Sequence, residues 1–317
     1  MGAFLHAVRV FGDHLADVRW ELLAIALGLH FGKLVLRAMA WRAILRASYP
    51  DSRPPFRSVL GAYAAGVGVN SIAPARTGDL VKLYLVRHRV KGSHYPTLVP
   101  TLAAETVFDF FVAGGLFIWA LAIGVLPTHQ VYSRIPTVDW KFLFRYQHAT
   151  AITLAVLATA TVIGLAVFAE YGGKFRARVR LGFAIFGDPP ALLRGVILPQ
   201  ALSWVLRIAS VYFFLRAFDV PASLHNALLV QVVDSLATLF PATPGGAGTK
   251  KGLIVFVFRG QALSESLLLA FSVGMNIALV VFNVLLGLVA IGLMTRSLSW
   301  RKLRGHAQQE EAPTGPD

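Results

Sequence analysis

The sequence contains no cysteine, which excludes disulfide bonds, thiolate metal sites and cysteine nucleophiles. Charge is also scarce, because Asp, Glu, Lys and Arg make up 15% of the 317 residues, against about a quarter in soluble domains. Acidic residues are the rarer sign, 16 against 30 Lys and Arg, which gives a net charge of +14. The basic residues crowd the ends of apolar segments, which favours topology setting and attraction to anionic headgroups over nucleic-acid binding.

Apolar sequence is what the chain has in abundance, at 56% hydrophobic residues. Residues 151–169 and 277–294 contain no charged side chain, and each run is about as long as a helix needs to cross ~30 Å of hydrocarbon. Further apolar segments lie at 22–45, 98–126 and 195–215. The pattern predicts an all-α fold, a polytopic integral membrane helical bundle.

Two other apolar segments are interrupted by Pro and Gly before they are long enough to cross. Residues 59–86 break at 73–79, and residues 227–258 break at 241–251. Counting Lys and Arg in the loops gives a consistent topology only if the first segment returns to the cytoplasm and the second returns outside. We therefore expect two Pro/Gly-broken re-entrant helical hairpins related by inverted pseudo-symmetry, an arrangement typical of transporter substrate sites. The alternative is that both breaks are surface loops between short helices.

The same reading divides the chain into three parts. Residues 1–19 are expected to form an amphipathic interfacial helix. Residues 20–295 are expected to form the transmembrane domain, with halves at about 20–170 and 190–295. Residues 296–317 are expected to be a basic, then disordered, cytoplasmic tail.

The first break carries side chains suited to a phosphate ligand. Asp79 is placed to cap the following helix, and Arg76 lies just before it, where free N–H groups and a guanidinium attract anions. Lys82 follows Asp79 by one turn, and Asn70 is placed to hydrogen-bond the broken backbone. These residues predict an anion pocket, and simple helix capping is the alternative role of Asp79.

The second break suggests a matching anion cradle. Gly245, Gly246 and Gly248 allow close backbone approach, Thr249 can cap the next helix, and Lys250 adds positive charge near its N–H groups. Taken alone, such a glycine-rich run is most often a turn, and its pairing with the first break strengthens the prediction.

Glu105 and Asp109 are four residues apart on one face of a spanning helix. Ionised groups at that depth usually face a partner or water, so ion pairing is favoured over a role in acid/base chemistry. The candidate partners are Arg76, Lys33 and Arg37.

Arg207 and Asp234 form a second candidate pair inside the membrane. His30 is expected to be a packed helix residue rather than a metal ligand. The sequence has no P-loop, nucleophile elbow or zinc motif, so neither a metal site nor a cofactor is predicted.

At this point a family resemblance emerges. Residues 70–84 (NSIAPARTGDLVKLY) and 241–248 (PATPGGAG) resemble the lysylphosphatidylglycerol synthase transmembrane-domain family, a flippase-like family of bacterial and archaeal membrane proteins. Glu105 with Asp109, and Trp41 with Arg42, also look like the family pattern. The resemblance covers about residues 20–295.

The resemblance implies a flippase that moves a lipid between leaflets, here in the bacterial cytoplasmic (inner) membrane with a cytoplasmic C-terminus. Larger members carry a soluble aminoacyl transferase domain, and too few residues follow the last span for one here, so we expect no lipid lysylation. Family members commonly have a basic–acidic pair where this sequence has Lys250 and Lys251, which favours an anionic, phosphate-bearing phospholipid, glycolipid or polyprenyl-phosphate lipid.

A transporter is therefore expected rather than an enzyme. Two alternatives stay open: a lipid-modifying transferase with Glu105 or Asp109 as base, and a non-catalytic envelope scaffold. The expected partners are membrane lipids with anionic headgroups and no nucleic acid, and the sequence leaves a homo-oligomer undecided.

Overall fold

The computed structural model describes residues 18–52, 54–73, 76–90, 92–123, 173–239, 254, 257–258 and 263–296. Over these residues the chain is helical and contains no strand, which confirms the predicted all-α fold. A 3₁₀ turn joins the fifth and sixth helices, and a π-helical turn lies inside the sixth. The helices are α1 (Trp20–Ser48), α2 (Phe56–Ile72), α3 (Thr77–Arg87), α4 (Tyr95–Ala122), α5 (Gly173–Gly182), α6 (Pro189–Ala217), α7 (Leu224–Leu239) and α8 (Glu265–Arg296).

Four of the described helices, α1, α4, α6 and α8, are long and apolar enough to cross a membrane. Their apolar stretches of 26 to 29 residues extend for roughly 40 Å at the α-helical rise, more than the hydrocarbon thickness. Large apolar side chains cover their outer faces, and Phe110 is 76% and Leu293 66% exposed. This outward apolar surface fits a lipid environment and confirms the predicted membrane bundle.

The bundle is held together by close helix contacts. α1 packs along α6 and α2, and α2 also packs against α8. A Cβ on Gly68 would lie 2.7 Å from the backbone oxygen of Asn283 and 2.8 Å from the Cα of Gly287, so α2 and α8 touch through their backbones. Small residues permit this approach where van der Waals packing drives helix association.

The predicted break near residue 73 is present. α2 ends at Ile72 and α3 begins at Thr77, and the two helices pack against each other as a hairpin. A Cβ on Gly78 would overlap the backbone oxygen of Gly66, so only glycine allows the two helices to lie this close. The membrane depth of this hairpin and its symmetry with residues 241–251 stay predictions.

The basic segment before α6 forms a helix, α5, with Arg176, Arg178 and Arg180 exposed. α6 then begins at Pro189, earlier than the apolar pattern predicts, and the Asp188 carboxylate caps its first turn by accepting a hydrogen bond from the Ala191 N–H. Its π-helical turn, Leu193–Ile197, lies just before Pro199, which has no N–H to donate to the preceding turn.

Several predictions fall outside the described residues. These are the interfacial helix at 1–19 apart from its last two residues, the apolar run at 151–169, and the tail beyond residue 296. The two-half division of the domain therefore stays a prediction.

Candidate functional site

A buried ion-pair network surrounds Arg37 on α1. Its guanidinium donates to Glu105 Oε1 at 2.9 Å and to Asp109 Oδ1 at 3.0 Å, and it lies 2.6 Å from Asp109 Oδ2. Because Glu105 and Asp109 are one helical turn apart on α4, both carboxylates reach the same guanidinium. Of the three predicted partners, Arg37 is the one that pairs with both, which confirms ion pairing as the present state of these carboxylates.

Tyr63 on α2 completes the network. Its hydroxyl accepts a hydrogen bond from Arg37 Nε at 2.6 Å and donates one to Glu105 Oε1 at 2.7 Å. The Glu105 side chain is only 2% exposed, so each of these bonds offsets part of the cost of burying its charge.

Helix α6 bonds the Asp109 carboxylate and the Glu105 backbone. Trp204 Nε1 donates to Asp109 Oδ1 at 2.8 Å, and Gln200 Nε2 donates to the backbone oxygen of Glu105 at 3.1 Å. Tyr63, Trp204 and Gln200 are not among the site residues predicted from the sequence. A usable signal was present on α6, where Gln200, Trp204 and Arg207 repeat at helical spacing within an apolar segment.

Lys82 links α3 to the same network. Its Nζ lies 3.4 Å from Asp79 Oδ1, 3.8 Å from Glu105 Oε2 and 4.0 Å from the centre of the Tyr63 ring. The side chain is buried, so in this structure Lys82 is engaged with protein carboxylates. Its predicted role in substrate binding stays a prediction.

Asn70 fastens the break between α2 and α3. Its Oδ1 accepts a hydrogen bond from the Gly78 N–H at 2.7 Å, and its Nδ2 donates to Asp79 Oδ1 at 3.2 Å. The prediction that Asn70 holds the broken backbone is confirmed. The capping role predicted for Asp79 is wrong, because α3 begins two residues earlier and the carboxylate bonds Asn70 and Lys82 instead.

Arg76 occupies the residue before α3, as predicted, and its side chain is exposed. Its backbone is left-handed, with φ at 56°, a region that non-glycine residues rarely adopt. The side chain makes no ion pair with the residues the structure describes, so its predicted role in anion binding stays a prediction.

A second polar site is a cavity of about 110 Å³ between α1, α6, α7 and α8. Lys33, Arg207 and Asp234 line it together with Gln231. Within the described part of the chain, Arg207 contacts the Trp204 ring at 4.8 Å and forms no direct ion pair with Asp234. The two residues of the predicted pair therefore line the same cavity without contacting each other. Asp234 accepts a hydrogen bond from Gln231 at 3.4 Å.

His30 lies at the edge of this cavity and is packed, as predicted. Its Nε2 lies 2.9 Å from Asn283 Oδ1, its ring meets Phe282 edge-on, and Lys33 Nζ approaches its Nδ1 at 3.2 Å. A neutral ring with its proton on Nε2 satisfies both hydrogen bonds. The described residues include no cluster of three or more His, Asp or Glu side chains that could hold a metal ion.

The second predicted motif lies outside the described residues. α7 ends at Leu239, and the next described residue, Ile254, is buried. The proposed roles of the residues between them stay predictions. These residues are Gly245, Gly246, Gly248, Thr249 and Lys250.

The long apolar helices and the ion-paired interior define a polytopic α-helical integral membrane protein. The chain belongs to the family described as the lysylphosphatidylglycerol synthase TM region, whose sequence model matches residues 3–287. This match confirms the resemblance noted in the sequence.

Two relatives of the chain are named as membrane proteins, and a third is named as a glycosyltransferase. Two UPF0104 membrane proteins of Methanothermobacter thermautotrophicus are each 23% identical to it. One alignment covers 74% of this chain and 72% of the relative, and the other covers 81% and 79%. Glycosyltransferase AglD of Haloferax volcanii is 26% identical over 74% of this chain and 42% of its own length. No solved structure matches the chain.

Proposed function

We propose that this protein is a transporter that moves a phosphate-bearing lipid between the leaflets of the cytoplasmic membrane. The observation that carries the proposal is the network of Arg37, Glu105, Asp109 and Lys82 inside a bundle with an apolar outer surface. Ionised groups inside a membrane protein are expensive, and they usually mark substrate or ion pathways.

The strengths of the contacts suggest which element moves. Arg37 is held at 2.6 to 3.0 Å by its carboxylates, the range of strong charge-assisted bonds. Lys82 on α3 lies farther from its partners, at 3.4 and 3.8 Å. We infer that α3 separates from α4 more readily than α1 does, and that this separation opens the polar interior to a headgroup.

Reconstituted vesicles test the proposal. The purified full-length chain is inserted into liposomes that contain a fluorescent phosphatidylglycerol or a fluorescent polyprenyl phosphate, and a membrane-impermeant quencher reports the outer-leaflet fraction over time. We expect faster exchange than in protein-free liposomes, slowed by Lys82→Gln and unaffected by Arg216→Gln, a change at an exposed residue of α6. Exchange no faster than in protein-free liposomes for either lipid would refute the proposed function.

A second candidate is a lipid-modifying transferase, because one relative is named a glycosyltransferase. In this structure Glu105 accepts bonds from Tyr63 and Arg37, which reduces its availability as a general base. Incubating the protein with labelled lipids and analysing the products separates the candidates, since a transporter returns its lipid chemically unchanged.

A further inference from the structure

The cavity between α1, α6, α7 and α8 is not explained by the ion-pair network around Arg37. Lys33 stands near the middle of the 29-residue α1, and Arg207 stands well inside α6. Both cations line a space of about 110 Å³, which has room for several water molecules or one phosphate-sized group. The cavity therefore lies inside the membrane-spanning part of the bundle and is polar on two sides.

Two polar groups at this cavity lack partners among the described residues. The Arg207 guanidinium stacks on Trp204 but donates no hydrogen bond to them. Gln231 is fully buried, and its Oε1 accepts no hydrogen bond, although its Nε2 donates to Asp234. Arg207 is half-buried. A buried acceptor such as Gln231 Oε1 is rarely left unpaired without a reason, so this acceptor and the neighbouring Arg207 donors indicate a polar occupant.

The charges that line the cavity indicate whether the occupant is an anion or a cation. In their ionised forms the cavity residues are two cations, Lys33 and Arg207, and one carboxylate, Asp234. Excess positive charge inside a low-dielectric bundle costs free energy, and a bound counter-charge reduces that cost. An anion supplies it, and a guanidinium fork and an ammonium are the donors that bind phosphate best.

We propose that this cavity binds the phosphate group of a ligand, with Lys33 and Arg207 as its donors. The proposal rests on the proposed function for its ligand, the phosphate of a translocated lipid headgroup, and free phosphate offers the same chemistry. A phosphate presents several oxygens, so it meets both cations at once. A phosphate hydroxyl or a headgroup hydroxyl can donate to Gln231 Oε1.

The test measures binding without transport. The full chain in phosphatidylcholine nanodiscs is titrated with three probes: dioctanoyl phosphatidic acid, dioctanoylglycerol, which lacks the phosphate, and inorganic phosphate. The cavity variants are Lys33→Gln and Arg207→Gln, and the matched control is Arg216→Gln on the same helix. Removing one charge-assisted hydrogen bond should weaken phosphatidic acid binding about ten- to a hundredfold, while the control binds like wild type.

The outcomes separate the possibilities. Equal affinity of wild type and both cavity variants, for phosphatidic acid and for inorganic phosphate alike, overturns the proposal, even if the vesicle assay detects transport. Loss of affinity in the cavity variants supports it, even if the vesicle assay detects none. Tight inorganic phosphate binding, with phosphatidic acid no better than dioctanoylglycerol, supports a phosphate site but assigns it to the free ion.

A measurement on the wild type guards against variants that fail to fold. A ligand that binds the folded state raises the thermal denaturation midpoint. We expect phosphatidic acid to raise the midpoint more than dioctanoylglycerol does. Equal midpoints with the two lipids, together with no rise on adding inorganic phosphate, would overturn the proposal without any variant.

Discussion

Replacing Arg37 by glutamine removes the cation that, among the described residues, contacts both carboxylates of α4. Breaking a buried ion pair by removing one partner costs about 3–5 kcal/mol, since the remaining charge stays buried. The Asp109 side chain is 26% exposed, so water recovers part of this loss. The lower end of that range, about 3 kcal/mol, is therefore expected.

The loss of Arg37 should destabilise the two carboxylates by different amounts. Without Arg37, Glu105 still accepts a hydrogen bond from Tyr63 and lies 3.8 Å from Lys82. Asp109 retains only the Trp204 N–H among its described partners. Most of the lost stability should therefore come from Asp109, and adding Asp109→Asn to Arg37→Gln should restore more stability than adding Glu105→Gln.

Thermal denaturation of the purified protein in one detergent checks this reasoning. A loss of about 3 kcal/mol should lower the midpoint by on the order of ten degrees, and all variants must be heated at one scan rate, because unfolding of such proteins is commonly irreversible. Arg216→Gln is the control for removing a positive charge. An Arg37→Gln midpoint equal to that of the control would refute the reasoning, and so would equal rescue by the two second substitutions.

The remaining predictions concern the α2–α3 hairpin and use the same denaturation measurement. Asn70→Ala removes the acceptor of the Gly78 N–H and should cost about 1–3 kcal/mol, and an unchanged midpoint would contradict the hairpin contact. Gly78→Ala places a Cβ against the Gly66 backbone oxygen and should lower the midpoint or prevent purification. Gly28→Ala adds a Cβ in open space and should leave the midpoint unchanged. Equal midpoints for Gly78→Ala and Gly28→Ala would count against the close packing of α2 and α3. Arg76→Gly relieves a left-handed backbone and should stabilise by about 1 kcal/mol, whereas a lower midpoint would show that the side chain stabilises the fold.

The sequence predicts the elements of this fold that depend on local pattern. Apolar length predicts the spanning helices, and Pro and Gly predict the break after α2. The spacing of Glu105 and Asp109 predicts that both face one partner, because positions four apart share a helix face. The role of Asn70 is also predictable from local sequence, because Asn70 and its partner Gly78 are only eight residues apart in the chain.

Contacts between helices that are distant in the chain could not be predicted from the sequence. Tyr63 and Trp204 come from α2 and α6, and nothing in their local sequence says that both point at the carboxylates of α4. The sequence predicts three candidate cations as the partner of those carboxylates. The rotation of each helix about its axis determines which of the three faces them, and local sequence does not predict that rotation. The sequence predicts that Arg207 and Asp234 pair, whereas in the structure both line one cavity without a direct ion pair, because helix packing sets the distance between them.

The described charges inside the bundle form two clusters, one with a negative and the other with a positive net charge. Arg37 and Lys82 meet three carboxylates, those of Asp79, Glu105 and Asp109. The cavity has the reverse excess, and Trp204 joins the clusters by bonding Asp109 while stacking on Arg207. That link places the Asp109 carboxylate within about 10 Å of the Arg207 guanidinium, where charges still interact by roughly 1–2 kcal/mol at an effective dielectric constant near 20. The negative cluster therefore lowers the attraction of the cavity for an anion. The proposed transport needs this balance, because a site must bind its substrate firmly enough to admit it and weakly enough to release it.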